Sequence, residues 1–270
     1  MAGETTDKPQ EPTATTPAAA PLPLLYRRIE PMSLAQHRDL KLFDVEDFSL
    51  ARDVGLVPIT LGEFAVAARQ YPIVFLRPPK GQPPMPVAAL GTHPRENLFV
   101  GADGRWLAGF YIPAYLRRYP FITGDTADKT RKAVFVDVDS PRISREDGAP
   151  IYDKEGLSTI GKAAVDFCGQ YHAQAEQTTP FARALGDAGI FMAHDYPGPA
   201  MPARPREARL MMAIDERRLS TVADALFLEW RAKSWLPAIY MHLFSLGHFT
   251  ALATLARRRA AAGPSILGMA

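Results

Sequence analysis

Residues 95–123 constrain the fold more than any other part of the chain. This segment carries seven aromatic residues between Phe99 and Phe121, together with several arginines and an Asp-Gly pair. Such a density of rings is unusual for a surface loop, because each ring has a large apolar area to bury. The segment is therefore expected to organise either a core or a recognition surface.

Turn and helix signals subdivide this aromatic segment. The pair Asp103-Gly104 predicts a tight turn between two short strands, since glycine adopts the positive φ that such a turn needs. Pro113 and Pro120 then bound a short helix, because proline is favoured in the first helical turn and ends a helix that reaches it. We expect a hairpin that leads into a short helix.

The rest of the sequence separates into a strand-rich and a helix-rich part. Residues 71–76 and 133–138 are β-rich runs, and turn signals join the strands predicted over 56–155. Over 156–260, apolar residues recur every three or four positions, which predicts helices. We expect an α+β fold with an N-terminal antiparallel β meander and short helices. A mainly helical C-terminal half packs on this meander.

One helix boundary is predicted inside the helix-rich part. The apolar stripe that begins at Ile160 reaches the pair Thr179-Pro180. Threonine is a good N-cap and proline suits the first turn of a helix. A new short helix is therefore expected to begin at this pair and to continue to Gly189.

The ends of the chain have the composition of tails. Residues 1–23 are rich in Thr, Pro, Ala and Glu and have no apolar stretch behind a basic start. We interpret them as a disordered tail rather than a secretory signal. A single domain is expected over 24–260, followed by a flexible tail over 261–270. A cytoplasmic location follows, with surface association only by a signal-independent route.

Charge and cysteine content limit the partners. The formal net charge of +2 gives no argument for nucleic acid, since phosphate binding needs a concentrated basic face. Cys168 is the single cysteine, so an intramolecular disulfide is excluded. Cys168 lies next to the apolar stripe of its helix, which favours a small core residue over a nucleophile.

One stretch has the length of a membrane span. Residues 234–256 carry no formal charge and precede three arginines, a flank typical of a spanning helix. Against this interpretation, His242 and His248 lie inside the stretch, and polar groups are costly in hydrocarbon. Pro237 and Gly247 also interrupt it. We expect a helix, or a broken helix pair, in the core, and no integral membrane segment.

Catalytic and metal-binding patterns are weak. No nucleophile elbow, phosphate-binding loop or dinucleotide fingerprint is present, and no cofactor or metal is expected. Asp137 and Asp139 alternate on one strand, so both carboxylates share a face and could hold a divalent cation. The alternative is that they cap the turn that follows. His194-Asp195 could orient an imidazole, or could be ordinary loop polarity.

The best functional candidates lie at the end of the predicted short helix. Arg117 and Arg118 stand beside Tyr115 and Tyr119, with Trp106 nearby in the sequence. Guanidinium groups stack on rings and bind carboxylate or phosphate with a forked geometry. In the alternative, one arginine pairs with an acid at the edge of the core while the aromatic residues pack.

Several motifs together resemble the bacterial SapC family, in order, over most of the chain. They are Tyr71-Pro72-Ile73-Val74-Phe75, Glu96-Asn97-Leu98-Phe99-Val100, Asp103-Gly104-Arg105-Trp106, Tyr111-Ile112-Pro113-Ala114-Tyr115 and Arg117-Arg118-Tyr119-Pro120-Phe121. Shorter matches are His37-Arg38-Asp39-Leu40, Thr179-Pro180-Phe181, Ile214-Asp215-Glu216 and Tyr240-Met241-His242-Leu243-Phe244-Ser245-Leu246. The resemblance implies a bacterial protein associated with the cell envelope or with a paracrystalline surface layer. It brings no catalytic residue to this chain.

Two functions of different classes remain open. The first is a non-enzymatic accessory protein of the cell envelope or surface layer that docks a partner through its arginine and aromatic residues. It requires Arg117 and Arg118 to reach solvent beside exposed rings. The second is a cytosolic enzyme acting on a peptide or amino-acid-derived substrate. It requires a concave site that gathers Asp137, Asp139 or His194 with an arginine.

Overall fold

The computed structural model describes residues 22–77, 79, 81–126, 130–195 and 211–262. The two tails expected at 1–23 and 261–270 lie almost wholly outside these residues, so both stay predictions. The last described helix reaches Ala262.

Thirteen short strands are formed by the described residues. They are β1 (Ile29–Pro31), β2 (Lys41–Leu42), β3 (Leu56–Pro58), β4 (Ile73–Leu76), β5 (Met85–Ala89), β6 (Phe121–Asp125), β7 (Lys132–Asp137), β8 (Ile143–Ser144), β9 (Ala149–Pro150), β10 (Tyr152–Asp153), β11 (Gly156–Leu157), β12 (Phe191–Ala193) and β13 (Met211–Ile214). Eleven of them precede the first long helix, as the α+β prediction required.

The helices are short in the first half of the chain and longer in the second. They are α1 (Leu34–His37), α2 (Phe64–Ala67), α3 (Ala114–Arg117), α4 (Thr159–Asp187), α5 (Glu216–Leu219), α6 (Asp224–Ala232), α7 (Leu236–Ser245) and α8 (His248–Ala262). Two 3₁₀ turns, at Ser49–Ala51 and Leu61–Glu63, complete the described elements.

The largest sheet has five strands in the order β12-β13-β4-β5-β3, and its pairs are antiparallel. Its central strand β4 is fully buried over Ile73–Phe75, which explains why the run is apolar on both faces. The antiparallel prediction is therefore confirmed. In addition, the helical half supplies β12 and β13 to this sheet, so the two halves share one core.

A second sheet supports the short helix α3. Its order is β1-β7-β6, again antiparallel, and β6 follows α3 directly. The 29-residue helix α4 packs on β6. The end of α3 therefore lies between a sheet and the longest helix.

The helix boundary predicted at Thr179-Pro180 is wrong. α4 runs through Pro180 without ending, although an interior proline removes a backbone hydrogen bond and costs about 3 kcal/mol. Phe181, Ala182 and Leu185, which follow the proline, are fully buried in the main core. Burial of these side chains keeps the helix continuous, and the local signal could not reveal this packing.

Helix α7 attaches to the main sheet through polar side chains. His242 Nδ1 donates to the carbonyl of Ile73 at 2.8 Å, and the Ile73 N–H donates to Ser245 Oγ at 2.9 Å. His242 Nε2 accepts the Ile214 N–H at 3.0 Å. Since both ring nitrogens are used in this way, His242 is neutral, and burial lowers its pKa to about 4.

The apolar C-terminal stretch forms a broken helix pair. Among the described residues, Leu236–Ala261 is long and apolar enough to cross a membrane by length and composition, but only a third of its most apolar window is buried. The helix is interrupted at Gly247, between α7 and α8. The inner sides of both helices lie in the main core, through Ile239, Phe249 and Leu252. The absence of an integral membrane segment stays a prediction.

Candidate functional site

The short helix α3 presents its arginines because the rest of the helix is anchored. Ala114, Tyr115 and Leu116 are buried, so the next residue, Arg117, points outward and is exposed. Arg118 is the C-cap and is half-buried. The expectation of a short helix ahead of Pro120 is confirmed, with four helical residues.

Arg117 lies between two aromatic rings. Its guanidinium carbon is 5.4 Å from the ring centre of Tyr111 and 5.0 Å from that of Phe167, which comes from α4. Its Nε donates a hydrogen bond to the Ile112 carbonyl at 3.0 Å, and its Nη2 donates one to the Tyr111 hydroxyl at 3.0 Å. Since a guanidinium has five N–H donors, Arg117 keeps donors that face solvent.

Arg118 is surrounded by three tyrosine rings. Its guanidinium carbon lies 4.2 Å from the ring centre of Tyr171, 4.4 Å from that of Tyr115 and 5.9 Å from that of Tyr26. The Arg118 Nε is buried and has no hydrogen-bond partner. Among residues 22–262, where described, no carboxylate pairs with it.

The charge of Arg118 therefore stands in a neutral environment. Burial raises the pKa of Tyr26, Tyr115 and Tyr171, and the Arg118 cation opposes this shift without cancelling it. The three hydroxyls consequently stay protonated at neutral pH. A cation that is stacked on rings but has no anionic partner attracts a carboxylate or phosphate from outside.

A buried carboxylate fixes the position of α3. Glu63 accepts the Ala114 N–H at 2.8 Å and the Tyr111 hydroxyl at 3.0 Å through Oε1, and the Thr60 N–H at 2.8 Å through Oε2. Sequence reasoning missed Glu63. The Thr60-x-x-Glu63 pattern is a capping box and could have indicated it. Because Tyr111 also contacts Arg117, Glu63 holds both the helix and the ring beside its first arginine.

Three of the predicted site residues are buried. The Tyr115 hydroxyl donates to the Leu24 carbonyl at 2.9 Å, and the Tyr119 hydroxyl donates to Asp137 at 3.1 Å. Trp106 Nε1 donates to the Tyr71 hydroxyl at 3.3 Å. All three rings belong to the main core. Tyr115 contacts Arg118, whereas Tyr119 packs on Tyr26, and Trp106 packs on Phe48 and Phe99.

The accessible rings come from elsewhere in the chain. Tyr111, Phe167 and Tyr171 are partly exposed and contact Arg117 or Arg118. Phe167 and Tyr171 lie four residues apart on α4, where helical spacing indicates a shared face. The arginine face, as used below, consists of Arg117, Arg118, Tyr111, Phe167 and Tyr171.

Asp137 and Asp139 have separate roles. Asp137 is fully buried and accepts the N–H groups of Arg27 and Arg28 at 2.9 Å, besides the Tyr119 hydroxyl. Asp139 is exposed and forms a forked ion pair with Arg28. Within the described ranges, no group of three or more His, Cys, Asp or Glu residues is placed to hold a metal ion.

The remaining enzymatic candidates do not come together with the arginines. The His194 ring packs on Phe249 with centroids 4.9 Å apart, and burial lowers its pKa. Cys168 is buried, and burial raises the pKa of its thiol to about 11, which suits a core residue. Three grooves, of about 500, 270 and 530 Å³, have none of Asp137, Asp139 or His194 in their walls.

Comparison with known protein families matches residues 32–252 to the SapC family. This match covers most of the chain and includes α3, α4 and every residue of the arginine face. Neither the curated proteins nor the solved structures provide a match. The chain therefore belongs to the SapC family.

Proposed function

We propose that this SapC family member is a non-enzymatic accessory protein of the bacterial cell envelope or surface layer. It docks a protein partner through the arginine face. The observation that carries the proposal is the Arg118 guanidinium, which is stacked among three tyrosines and has no carboxylate partner in the described chain. Beside it, Arg117 offers free donors to solvent.

The chemistry of this face selects an acidic partner segment. A carboxylate that approaches a guanidinium group of this face can accept charge-assisted hydrogen bonds, which are about twice as strong as neutral ones. Phe167 and Tyr171 supply flat apolar walls on either side, and aromatic and arginine residues together are typical of binding hot spots. The partner is therefore a protein that presents an Asp, a Glu or a C-terminal carboxylate to this face.

The alternative, a cytosolic enzyme acting on a peptide or amino-acid-derived substrate, has less support. Asp137 is already held by backbone N–H groups and by Tyr119, and Asp139 by Arg28. His194 lies against Phe249 on another part of the structure. The second function thus relies on side chains that already have structural contacts and that line none of the three described grooves.

The proposed location is the cytoplasm, with surface association only by a signal-independent route. The protein would then bind a partner in the envelope from the cytoplasmic side of that partner. Fractionation of native host cells, with the untagged protein detected by antibody, tests this part of the proposal independently of the arginines.

The arginine face is tested by capture of partners from the native host. The double variant Arg117→Ala/Arg118→Ala is expected to lose a partner that the wild type retains, while Arg95→Ala retains it. Arg95 is a matched control because its side chain is 82% exposed and makes only a 3.8 Å ion pair. Circular dichroism must first show that the double variant is folded.

Two further measurements tie the partner to this face. A photo-crosslinking amino acid at position 167 should form a covalent adduct with the same protein. Arg117→Lys/Arg118→Lys keeps the charge but removes the fork and the stacking, so it should restore little binding. A double alanine variant that folds and keeps every partner would refute the docking function.

A further inference from the structure

The outer side of α7 carries the most exposed aromatic ring among the described residues. Phe244 is 81% exposed, and Tyr240, one turn earlier, is 43% exposed. Exposed rings of this size on consecutive turns are uncommon on a monomeric surface unless they meet something apolar. The opposite side of the same helix is buried through Ala238, Ile239, His242 and Ser245.

The exposed side continues into α8. Gly247 and Ala251, which follow Phe244 across the break between the two helices, are also exposed. Both also line the groove of about 530 Å³, whose apolar walls include Phe110 and Leu255 and whose rim includes Arg258. We name this surface, formed by Tyr240, Phe244, Gly247, Ala251 and Arg258, the outer helical face.

The helix pair that forms the outer helical face is rich in cations. From residue 230 to residue 270 the sequence contains no Asp or Glu but has five cations, which are Arg231, Lys233, Arg257, Arg258 and Arg259. Lys233 pairs with Glu229 at 2.6 Å, and Arg259 is anchored by its bond to the Val100 carbonyl at 3.0 Å, whereas the side chains of Arg257 and Arg258 are exposed. The same helix pair therefore carries exposed rings on α7 and exposed arginines on α8.

The combination of exposed rings and cations favours one occupant of the outer helical face over another. A second copy of the chain would bring the same cations against each other, and like charges in contact are unfavourable. An anionic lipid surface satisfies both features, because the rings enter the acyl boundary while the cations meet lipid headgroups. Insertion across the membrane is disfavoured, since α7 would have to give up the His242 and Ser245 bonds to the sheet.

We propose that the outer helical face binds the surface of an anionic lipid membrane. α7 and α8 lie in the interface, with Phe244 and Tyr240 inserted among the acyl chains and Arg257 and Arg258 at the phosphates. This attachment is independent of the arginine face, which belongs to α3 and α4. It brings the protein to the envelope without a spanning helix.

Vesicle flotation tests the membrane contact. Full-length protein is mixed with vesicles of phosphatidylcholine alone or of phosphatidylcholine with phosphatidylglycerol, and the floated fraction is measured at low and high salt. The wild type should float with the anionic vesicles and should be released by salt. Phe244→Ser should weaken partitioning about tenfold or more, which is the fold-change that corresponds to burial of a Phe side chain.

Matched variants separate membrane binding from other causes. Arg257→Gln/Arg258→Gln should weaken partitioning by about fivefold for each charge and flatten the salt dependence. Val45→Ser, which removes another side chain that is 49% exposed but lies between Asp44 and Glu46, should change nothing. Phe244→Ser should still capture the partner of the arginine face, so failure of one proposal leaves the other intact.

Each other outcome overturns the membrane proposal. If the wild type does not float with anionic vesicles, and sedimentation shows a dimer that Phe244→Ser dissociates, then a second copy of the chain occupies the face. If wild type and Phe244→Ser float equally, the outer helical face does not make the contact. Equal flotation with neutral and anionic vesicles would remove the role of the arginines.

Discussion

Arg118 and Arg142 both lie near the end of α3 against aromatic rings, and neither pairs with a carboxylate among the described residues, yet their donors have different partners. Arg142 is 2% exposed and stacks on Phe48 at 4.6 Å. Its N–H groups donate to the carbonyls of Asp47, Leu116 and Tyr119 at 2.7 to 3.3 Å. Arg118 has a buried Nε without a partner.

The difference shows what makes an arginine structural. Burial lowers the pKa of Arg142 to about 10, so it remains charged at neutral pH, and carbonyl dipoles replace the water it lost. Arg142 therefore joins three chain segments and has little left to offer a ligand. Arg118 is half-buried among tyrosine rings and pairs with no carboxylate among the described residues, so its charge remains available to an acidic partner.

Removal of Arg142 should have the largest effect on stability. Arg142→Ala leaves three backbone carbonyls without donors, and buried unsatisfied groups cost about 1 to 3 kcal/mol each, so we expect a loss of about 3 kcal/mol or more. Urea unfolding measures this loss. Arg145→Ala, at an exposed ion pair with Asp39, should cost less than about 1 kcal/mol. If Arg142→Ala and Arg145→Ala cost the same free energy of unfolding, the buried bonds of Arg142 would contribute no more to stability than an exposed ion pair.

His242 is a second buried basic side chain, but unlike Arg142 it is neutral. Its pKa falls from 6.5 to about 4 on folding, so the unfolded state takes up a proton at a higher pH than the folded state does. Its contribution to stability is therefore complete above pH 6.5 and is lost as the pH falls towards 4. The loss amounts to about 3 kcal/mol.

The measurement for His242 is a series of urea unfolding curves between pH 7 and pH 4, for wild type and His242→Gln. The variant is less stable at pH 7, but its stability should fall less on acidification, so the two curves converge. His194 has a pKa lowered by burial as well, so it contributes in the same direction in both proteins. Parallel curves would show that His242 is not the group that titrates.

Asp137 and Asp139 allow a buried and an exposed side chain to be compared again, here with carboxylates. Asp137→Asn replaces an acceptor that serves the Arg27 and Arg28 N–H groups and the Tyr119 hydroxyl, and should cost about 2 kcal/mol. Asp139→Asn loses an exposed ion pair and should cost less than about 1 kcal/mol. Thermal unfolding gives both values. A larger loss at Asp139 would contradict the structural role of Asp137.

Arg118→Ala should have a much smaller effect on stability than Arg142→Ala, although it changes the proposed binding. Loss of the stacking on Tyr115 and Tyr171 should cost about 1 kcal/mol, since cation–π contacts contribute about 0.5 to 2 kcal/mol. The partner captured by the wild type should nevertheless be lost. A loss of stability as large as that of Arg142→Ala would mean that Arg118 is itself a structural residue.

Local patterns predicted the elements better than the site. The turn at Asp103-Gly104 is confirmed, with Gly104 at a φ of 84°, but the two strands predicted beside it form only a single bridge between Val100 and Trp106. The proline-bounded helix α3 is confirmed for a similar reason, because both features depend on residues close in sequence. At Thr179-Pro180 the same reasoning failed, because core packing outweighed the local preference.

The site depends on contacts between distant residues. Phe167 and Tyr171 reach α3 from more than 45 residues away, and Asp137 is bound by backbone groups over 100 residues away. Sequence spacing could show that Arg117 and Arg118 were adjacent to rings. It could not show that Tyr119 and Trp106 face the core, or that one arginine would lack an anionic partner.

The attachment of α7 at Ile73 has a mechanical consequence. Both backbone groups of Ile73 are bound by side chains of α7, at the start of the central strand β4. Two residues earlier, the Tyr71 hydroxyl donates to the Tyr111 carbonyl, in the residue whose ring contacts Arg117. A displacement of α7 from the sheet would therefore have to break the bonds that hold both backbone groups of Ile73, two residues from the tyrosine whose hydroxyl holds Tyr111 beside Arg117.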